Sequence, residues 1–272
     1  MRAVDFVLYG TAGVIGLFWL IVFGYTFFSY AVAHRFVAPR PLRSLVSHAG
    51  WEAILSLFVQ PLLPLFFLVG RRMGGRAKGQ PIVFVHGYFQ NRVDFLYLAR
   101  VLSKAGLGPL YGVNYWSFGA IESSARTLAR FVERVCAEQG TPSVDLVCHS
   151  LGGLVAAEYA RTHVERVRRC VTIASPHGGI AWPGPVLGPS GAQMRPKGKY
   201  LTERADLPWE VPLLSIYSSH DNVVYPPTTS AREHVGGKDL VIDGPGHFAI
   251  LFHRQTAEAT RAFLDEESGA VR

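Results

Sequence analysis

The chain has 272 residues, 49% of them hydrophobic and 17% charged, and a net charge of +7. The excess charge is uneven: residues 1–80 carry eight Lys/Arg against two Asp/Glu, while residues 81–272 carry 19 against 18. A basic excess confined to the apolar end speaks for membrane topology and against a nucleic-acid surface. The three cysteines, Cys136, Cys148 and Cys170, are odd in number and show neither a disulfide framework nor metal-ligand spacing, so they read as small core residues.

From Phe6 to Ala33 no side chain is charged. This run makes roughly 42 Å of helix, enough to cross a bilayer core with tilt. A cleaved signal peptide is the competing reading, but the run is long for one and only Arg2 precedes it as a cation. A second apolar segment, residues 53–70, contains Gln60, Pro61 and Pro64. Prolines break the helical ladder, so a kinked span, a re-entrant hairpin and an interfacial segment all fit. Arg35, Arg40 and Arg43 follow the first run; Arg71, Arg72, Arg76 and Lys78 follow the second. The positive-inside tendency puts both clusters in the cytoplasm. That requires one crossing, with the second run dipping into the membrane and returning. Residues 74–80 form a polar, Gly-rich linker. Residues 1–80 are therefore expected to be anchor and linker, and residues 81–272 a globular domain.

In that domain short apolar runs alternate with amphipathic helices, the pattern of an α/β fold with a mostly parallel sheet. Strands are expected at 82–85, 110–116, 144–148, 170–174, 211–217 and 239–242, about six in all. Helices are expected at 92–104, 121–138, from the turn at Ser150 to about Thr162, and at 252–264. Residues 180–209 are rich in Gly and Pro without a clear period, and are expected to form a small cap.

The run Val144-Asp145-Leu146-Val147-Cys148-His149-Ser150-Leu151-Gly152-Gly153 reads as buried strand, tight turn and helix start, with Ser150 at the apex. Such a turn needs small neighbours and exposes a serine hydroxyl beside a helix N-terminus. Gly152 and Gly153 meet that need on one side, and Cys148, compact but larger than glycine, stands on the other. His149 is expected to point away from the site. After the first strand comes His86-Gly87-Tyr88-Phe89-Gln90-Asn91; the N–H groups of Tyr88 and Leu151 are candidates for an oxyanion hole. After the fifth strand Asp221 is placed to orient a histidine, or simply to cap its own turn. After the sixth, His247 is the candidate general base, ahead of His177, His220 and His253. The chain order Ser150, Asp221, His247 is the order this architecture requires.

These residues resemble the α/β-hydrolase superfamily, and more narrowly bacterial lipases and esterases, over about residues 81–267. The carriers are Val85-His86-Gly87, Cys148-His149-Ser150-Leu151-Gly152-Gly153, Ser175-Pro176-His177-Gly178-Gly179, the segment Ser215 to Val224, and Gly246-His247. Ser-Pro-His-Gly-Gly is similar to the Thr-Pro-His-x-Gly segment of triacylglycerol lipases, and the surroundings of Asp221 and His247 to small class 2 lipases. Cys148 in place of the first elbow glycine and the apolar N-terminus depart from the secreted enzymes. The resemblance implies an α/β-hydrolase fold and a Ser150–Asp221–His247 triad acting on carboxylic esters of lipids or lipid-like substrates, with no metal or cofactor. The apolar N-terminus and the basic clusters that follow it, and not the resemblance, carry the expectation of a membrane location, a bacterial inner membrane, with the catalytic domain facing the cytoplasm. Phe89, Trp182, Val186, Leu187, Met194 and Leu201 are the expected acyl-chain contacts; several of them would equally pack the cap onto the domain. Acyl transfer or thioester cleavage by the same triad, and a silent hydrolase-like interaction module, are the alternatives. Nothing in the sequence marks a nucleic-acid partner or an obligate protein partner.

Overall fold

The computed structural model describes residues 3–37, 39–182, 186–204 and 206–266. Seven strands form one sheet: β1 (Arg72–Gly74), β2 (Ile82–Val85), β3 (Leu110–Val113), β4 (Val144–His149), β5 (Val167–Ile173), β6 (Leu213–Ser218) and β7 (Lys238–Ile242). Their order is β1-β3-β2-β4-β5-β6-β7, parallel throughout except for β1, which runs antiparallel to β3. The expectation of about six strands is short by one. The extra strand, β1, lies at the edge of the stretch read as linker. Its three residues are too few to show a period; β1 exists because Arg72 pairs with Tyr111 and Met73 packs over Gly112.

All four residues of β2 are buried, because helices cover both faces of the sheet. Val83 and Val85 join one core with Leu146 and Cys148 from β4 and with α4 (Ile121–Gln139) and α5 (Leu151–Ala160). Ile82 and Phe84 point the other way, toward a core shared with α3 (Leu96–Lys104) and α8 (Arg254–Asp265). Strand alternation thus assigns neighbouring residues to opposite layers. Boundaries shift where side chains intervene. The helix expected from Arg92 begins as a 3-10 turn, Arg92–Phe95, entered through Asn91, whose side-chain oxygen accepts the Val93 N–H. β3 stops at Val113, before the loop carrying Asn114, Tyr115 and Trp116.

The cap region contains two short helices, α6 (Gly188–Gln193) and α7 (Lys199–Thr202); residues 183–185 and 205 of it, and 267–272 of the domain, lie outside the described residues.

At the N-terminus, α1 (Ala3–Ala33) is followed by α2 (Leu42–Val59), which passes into a 3-10 stretch, Gln60–Phe67, where Pro61 and Pro64 interrupt the α-helical ladder. Among the described residues one helix, over Tyr9–Ala33, is long and apolar enough to cross a membrane. Val14, Leu17 and Leu20 on it are exposed, whereas Thr26, Ser29, Tyr30 and Ala33 near its end are buried. Those residues lean on the loops at the C-terminal edge of the sheet. Phe36, just past α1, stacks on Tyr225 at 4.9 Å between ring centroids. Arg40 pairs with Asp243 and His220.

Candidate active site

Ser150 is the hinge between β4 and α5, with φ 52° and ψ −124°. A side-chain-bearing residue in that region is strained, by about 1–3 kcal/mol. The close approach of α5 to the sheet explains its small residues. A Cβ at Gly152 would press into the Val85 carbonyl and lie 2.8 Å from that of His86; one at Gly153 would lie 2.5 Å from Ser175 Cβ. Cys148 is fully buried in β4 and level with Thr172 of β5, so its extra bulk is taken up by the core and not by the turn.

Three loops meet at Ser150. His247, after β7, has its Nε2 2.9 Å from Ser150 Oγ and donates from Nδ1 to Asp221 Oδ2 at 2.9 Å. The other Asp221 oxygen accepts the N–H groups of Val223 and Val224 at 2.8 and 2.7 Å. Asp221 therefore does both things the sequence allowed: one oxygen caps its own turn and the other holds the histidine. Burial alone would lower the His247 imidazole, but the Asp221 carboxylate, with Glu52 behind it, outweighs burial and raises the ring above its usual value. Ser150, Asp221 and His247 are all buried or nearly so.

The rival histidines are elsewhere. His177 lies beneath Thr172 and lines a different cavity of about 370 Å³. His220 contacts Arg40 and Ser219, and His253 precedes α8. His149 corrects an expectation: its side chain does not point away. The left-handed turn at Ser150 ends the strand alternation, and the His149 ring lies 4.8 Å from that of His247. It sits between Gln90 Oε1 at 2.7 Å and the His247 carbonyl at 3.0 Å. Burial, then the neighbouring His247, hold it well below its usual value, so the neutral ring donates to one of these acceptors at a time. His86 is structural. It donates to the Gly87 carbonyl, accepts from Tyr115 N–H and stacks on the Tyr115 ring at 4.2 Å. Burial lowers its imidazole to about 4.

At the turn after β2, the N–H groups on either side of Tyr88 are engaged, Gly87 with Gln90 Oε1 and Phe89 with Ser117 Oγ. The Tyr88 hydroxyl bonds both the N–H and the carbonyl of Leu187, tying this turn to the cap. Leu151 is the first residue of α5, so its N–H has no acceptor within the helix.

Ser150 and His247 open into a cavity of about 620 Å³. Phe89, Trp182, Val186, Leu187 and Met194 line it as expected. Leu201 does not: it is buried in the core beside Gly179 and borders the other cavity, because α7 turns it inward. Other contributors were missed. Phe18, Ile21, Val22 and Tyr25 of α1 form one wall, and their spacing of three and four residues is that of a single helical face. Glu52 of α2 also borders the cavity. Burial pushes its carboxyl up to about 7, against the lowering effect of N–H donation from Phe248 and Ala249. Asn222 was missed as well; its oxygen accepts the His247 N–H at 2.8 Å and its amide donates to Ser29 Oγ at 2.7 Å. Among the described residues no group of His, Cys, Asp and Glu could hold a metal ion.

The sequence profile of a family described as alpha/beta hydrolase fold matches residues 80–188. Ethanol acetyltransferase 1 of Cyberlindnera jadinii is 32% identical over 98 residues, which is 35% of this chain and only 29% of that protein. Lipase B of Aspergillus fumigatus superposes with a TM-score of 0.61 at 16% identity, covering 69% of this chain and 54% of the lipase. A crystal structure described as a bacterial membrane phospholipase A gives a TM-score of 0.52 at 18% identity, covering 82% of this chain and 97% of that one. Sheet order, elbow turn and neighbours agree: the chain has the α/β-hydrolase fold, in the company of lipases and esterases.

Proposed function

We propose that this chain is a membrane-anchored serine hydrolase that cleaves carboxylic esters of lipids or lipid-like molecules through an acyl-enzyme. The observation that carries the reading is the Asp221–His247–Ser150 relay, with both links at 2.9 Å, opening into an apolar cavity that α1 partly walls. His247 Nε2 takes the Ser150 proton as Oγ bonds the ester carbonyl carbon and the carbonyl electron pair moves to oxygen. The N–H groups of Tyr88 and Leu151 receive that oxyanion, aided by the N-terminus of α5. Collapse breaks the C–O bond, and the leaving alcohol takes the proton from His247. Water then repeats the sequence and releases the acid. The apolar wall supplied by Phe18, Ile21, Val22 and Tyr25 favours substrates with an acyl chain.

The test is hydrolysis of an ester series of increasing chain length by the detergent-solubilised protein and its Ser150→Ala variant. Loss of about 10⁴-fold or more in kcat on substitution is expected. A wild type inert to every ester and unlabelled by a fluorophosphonate would refute the reading and favour a silent interaction module. A second reading, acyl transfer, has one observation behind it: the 32% identity to an ethanol acetyltransferase. Adding a primary alcohol during turnover separates the two. Ester product in excess over free acid at millimolar alcohol would make the chain a transferase.

A further inference from the structure

Glu52 is the one acid in α2, and it is 3% exposed. A buried carboxylate is costly unless its oxygens are satisfied. Here each oxygen accepts one backbone N–H at 2.7 Å, Oε1 from Phe248 and Oε2 from Ala249. Those amides immediately follow His247, whose own N–H goes to Asn222. Asn222 is in turn held by Ser29 of α1. Three consecutive N–H groups of this loop, 247 to 249, thus end on α2 directly or on α1 through one intermediary. The fit is close. A Cβ at Gly246 would collide with the Tyr30 hydroxyl and lie 2.5 Å from Glu52 Oε2, so the residue before His247 has to be glycine for the two helices to dock.

We propose that Glu52 is a positioning residue for His247, and that the α1–α2 pair is a working part of the active site in addition to an anchor. This rests on the catalytic reading of Ser150, Asp221 and His247. Through the Phe248 and Ala249 amides, Glu52 fixes where the loop places the imidazole relative to Ser150. The titratable groups facing it are Tyr25 and Tyr30 from α1, Asp221 from the loop after β6, and His247 itself; Arg40, between α1 and α2, lies beyond Tyr30.

The experiment uses the full chain in detergent micelles: wild type, Glu52→Gln and Glu52→Ala. A soluble short-chain ester serves as substrate, so membrane access does not enter. Expected losses in kcat are about 10-fold for Gln, which keeps one acceptor, and about 100-fold for Ala, with KM within about threefold. Hydrogen exchange at Phe248 and Ala249 should accelerate in both. The acid limb of kcat/KM should move to lower pH in both variants, because the Glu52 carboxyl, charged in part where His247 titrates, no longer favours the imidazolium; a role confined to folding would not move that limb. A folded Glu52→Ala protein with kcat within twofold of wild type, or with unchanged exchange at the two amides, overturns the proposal. Should the Ala variant fail to fold, Gln decides: unaltered kcat and an unmoved acid limb overturn it. A variant unaffected beside an active wild type defeats only the positioning role. A wild type that neither cleaves nor takes up fluorophosphonate defeats the catalytic reading and the positioning role together.

Discussion

At the residue scale, the candidate site divides into groups that sequence pattern exposes and groups that only packing exposes. Ser150, Asp221 and His247 were legible because each follows an apolar strand and sits among small or turn-forming residues. Asn222 and Gln90 were passed over because an amide beside a loop carries no chemistry of its own; its value comes from the backbone groups it meets. Glu52 had a visible signal, since it is the only acid between Asp5 and Asp94, and a lone carboxylate in an apolar segment suggests function. What could not be read was its partner, 196 residues away. The electrostatics of the relay give a directional prediction. His247 works as a base only when neutral, and its folded value is raised above the usual 6.5. Activity should therefore rise with pH through a midpoint above 6.5. Replacing Asp221 by Asn removes the raising charge and leaves burial in control, so the midpoint should fall below 6.5 while kcat drops by on the order of 10⁴-fold. The pH dependence of kcat/KM for both proteins checks this; a midpoint that stays in place would mean that Asp221 does not set the charge of His247.

At the scale of elements, the parallel strands were legible because burial on both faces leaves continuous apolar runs such as Ile82–Val85. β1 was not, because an edge strand of three residues is defined by its partner and not by its own pattern. The same limit hid the second role of α1. Its sequence is apolar on every side, so nothing distinguishes the outward face from the face that meets the cavity. The structure separates them: Phe18, Val22 and Tyr25 face the cavity that contains Ser150. An acyl chain bound to Ser150 would run along this face, toward the bilayer end of the helix. Enlarging Val22, which is half-buried there, should block the far part of the cavity and spare the part near Ser150. Val22→Trp should thus keep short-ester kcat/KM within about threefold, while long-chain esters lose about 10-fold or more, since one filled pocket position is worth 1–3 kcal/mol. A chain-length series on the two proteins decides it. A uniform loss at all lengths would mean that α1 does not contact the acyl chain.

At the scale of the whole molecule, charge and docking together argue for a sidedness. α1 is read as crossing the bilayer once. Arg40, from the first basic cluster, is paired with Asp243 beside the active-site loops, and Arg71, from the second, is paired with Glu138 at the end of α4. Both clusters are therefore fastened to the same globular body, and α2 between them is held there through Glu52. A second crossing by residues 53–70 would put the clusters on opposite faces and would require one of these two pairs to break. Arg2 and Asp5 precede the span and cancel; between the span and residue 80 stand seven Lys/Arg and one acid, Glu52, so the domain side of the span carries the positive excess. Lys and Arg in short flanking segments are retained in the cytoplasm. The catalytic domain should accordingly face the cytoplasm, with the N-terminus outside, and meet lipid from the inner leaflet. In spheroplasts of a bacterial host producing the chain, added protease should leave the domain intact until the membrane is permeabilised, and then degrade it. Digestion in sealed spheroplasts would place the domain outside, and would mean that docking of the anchor, and not its charge, determines the orientation.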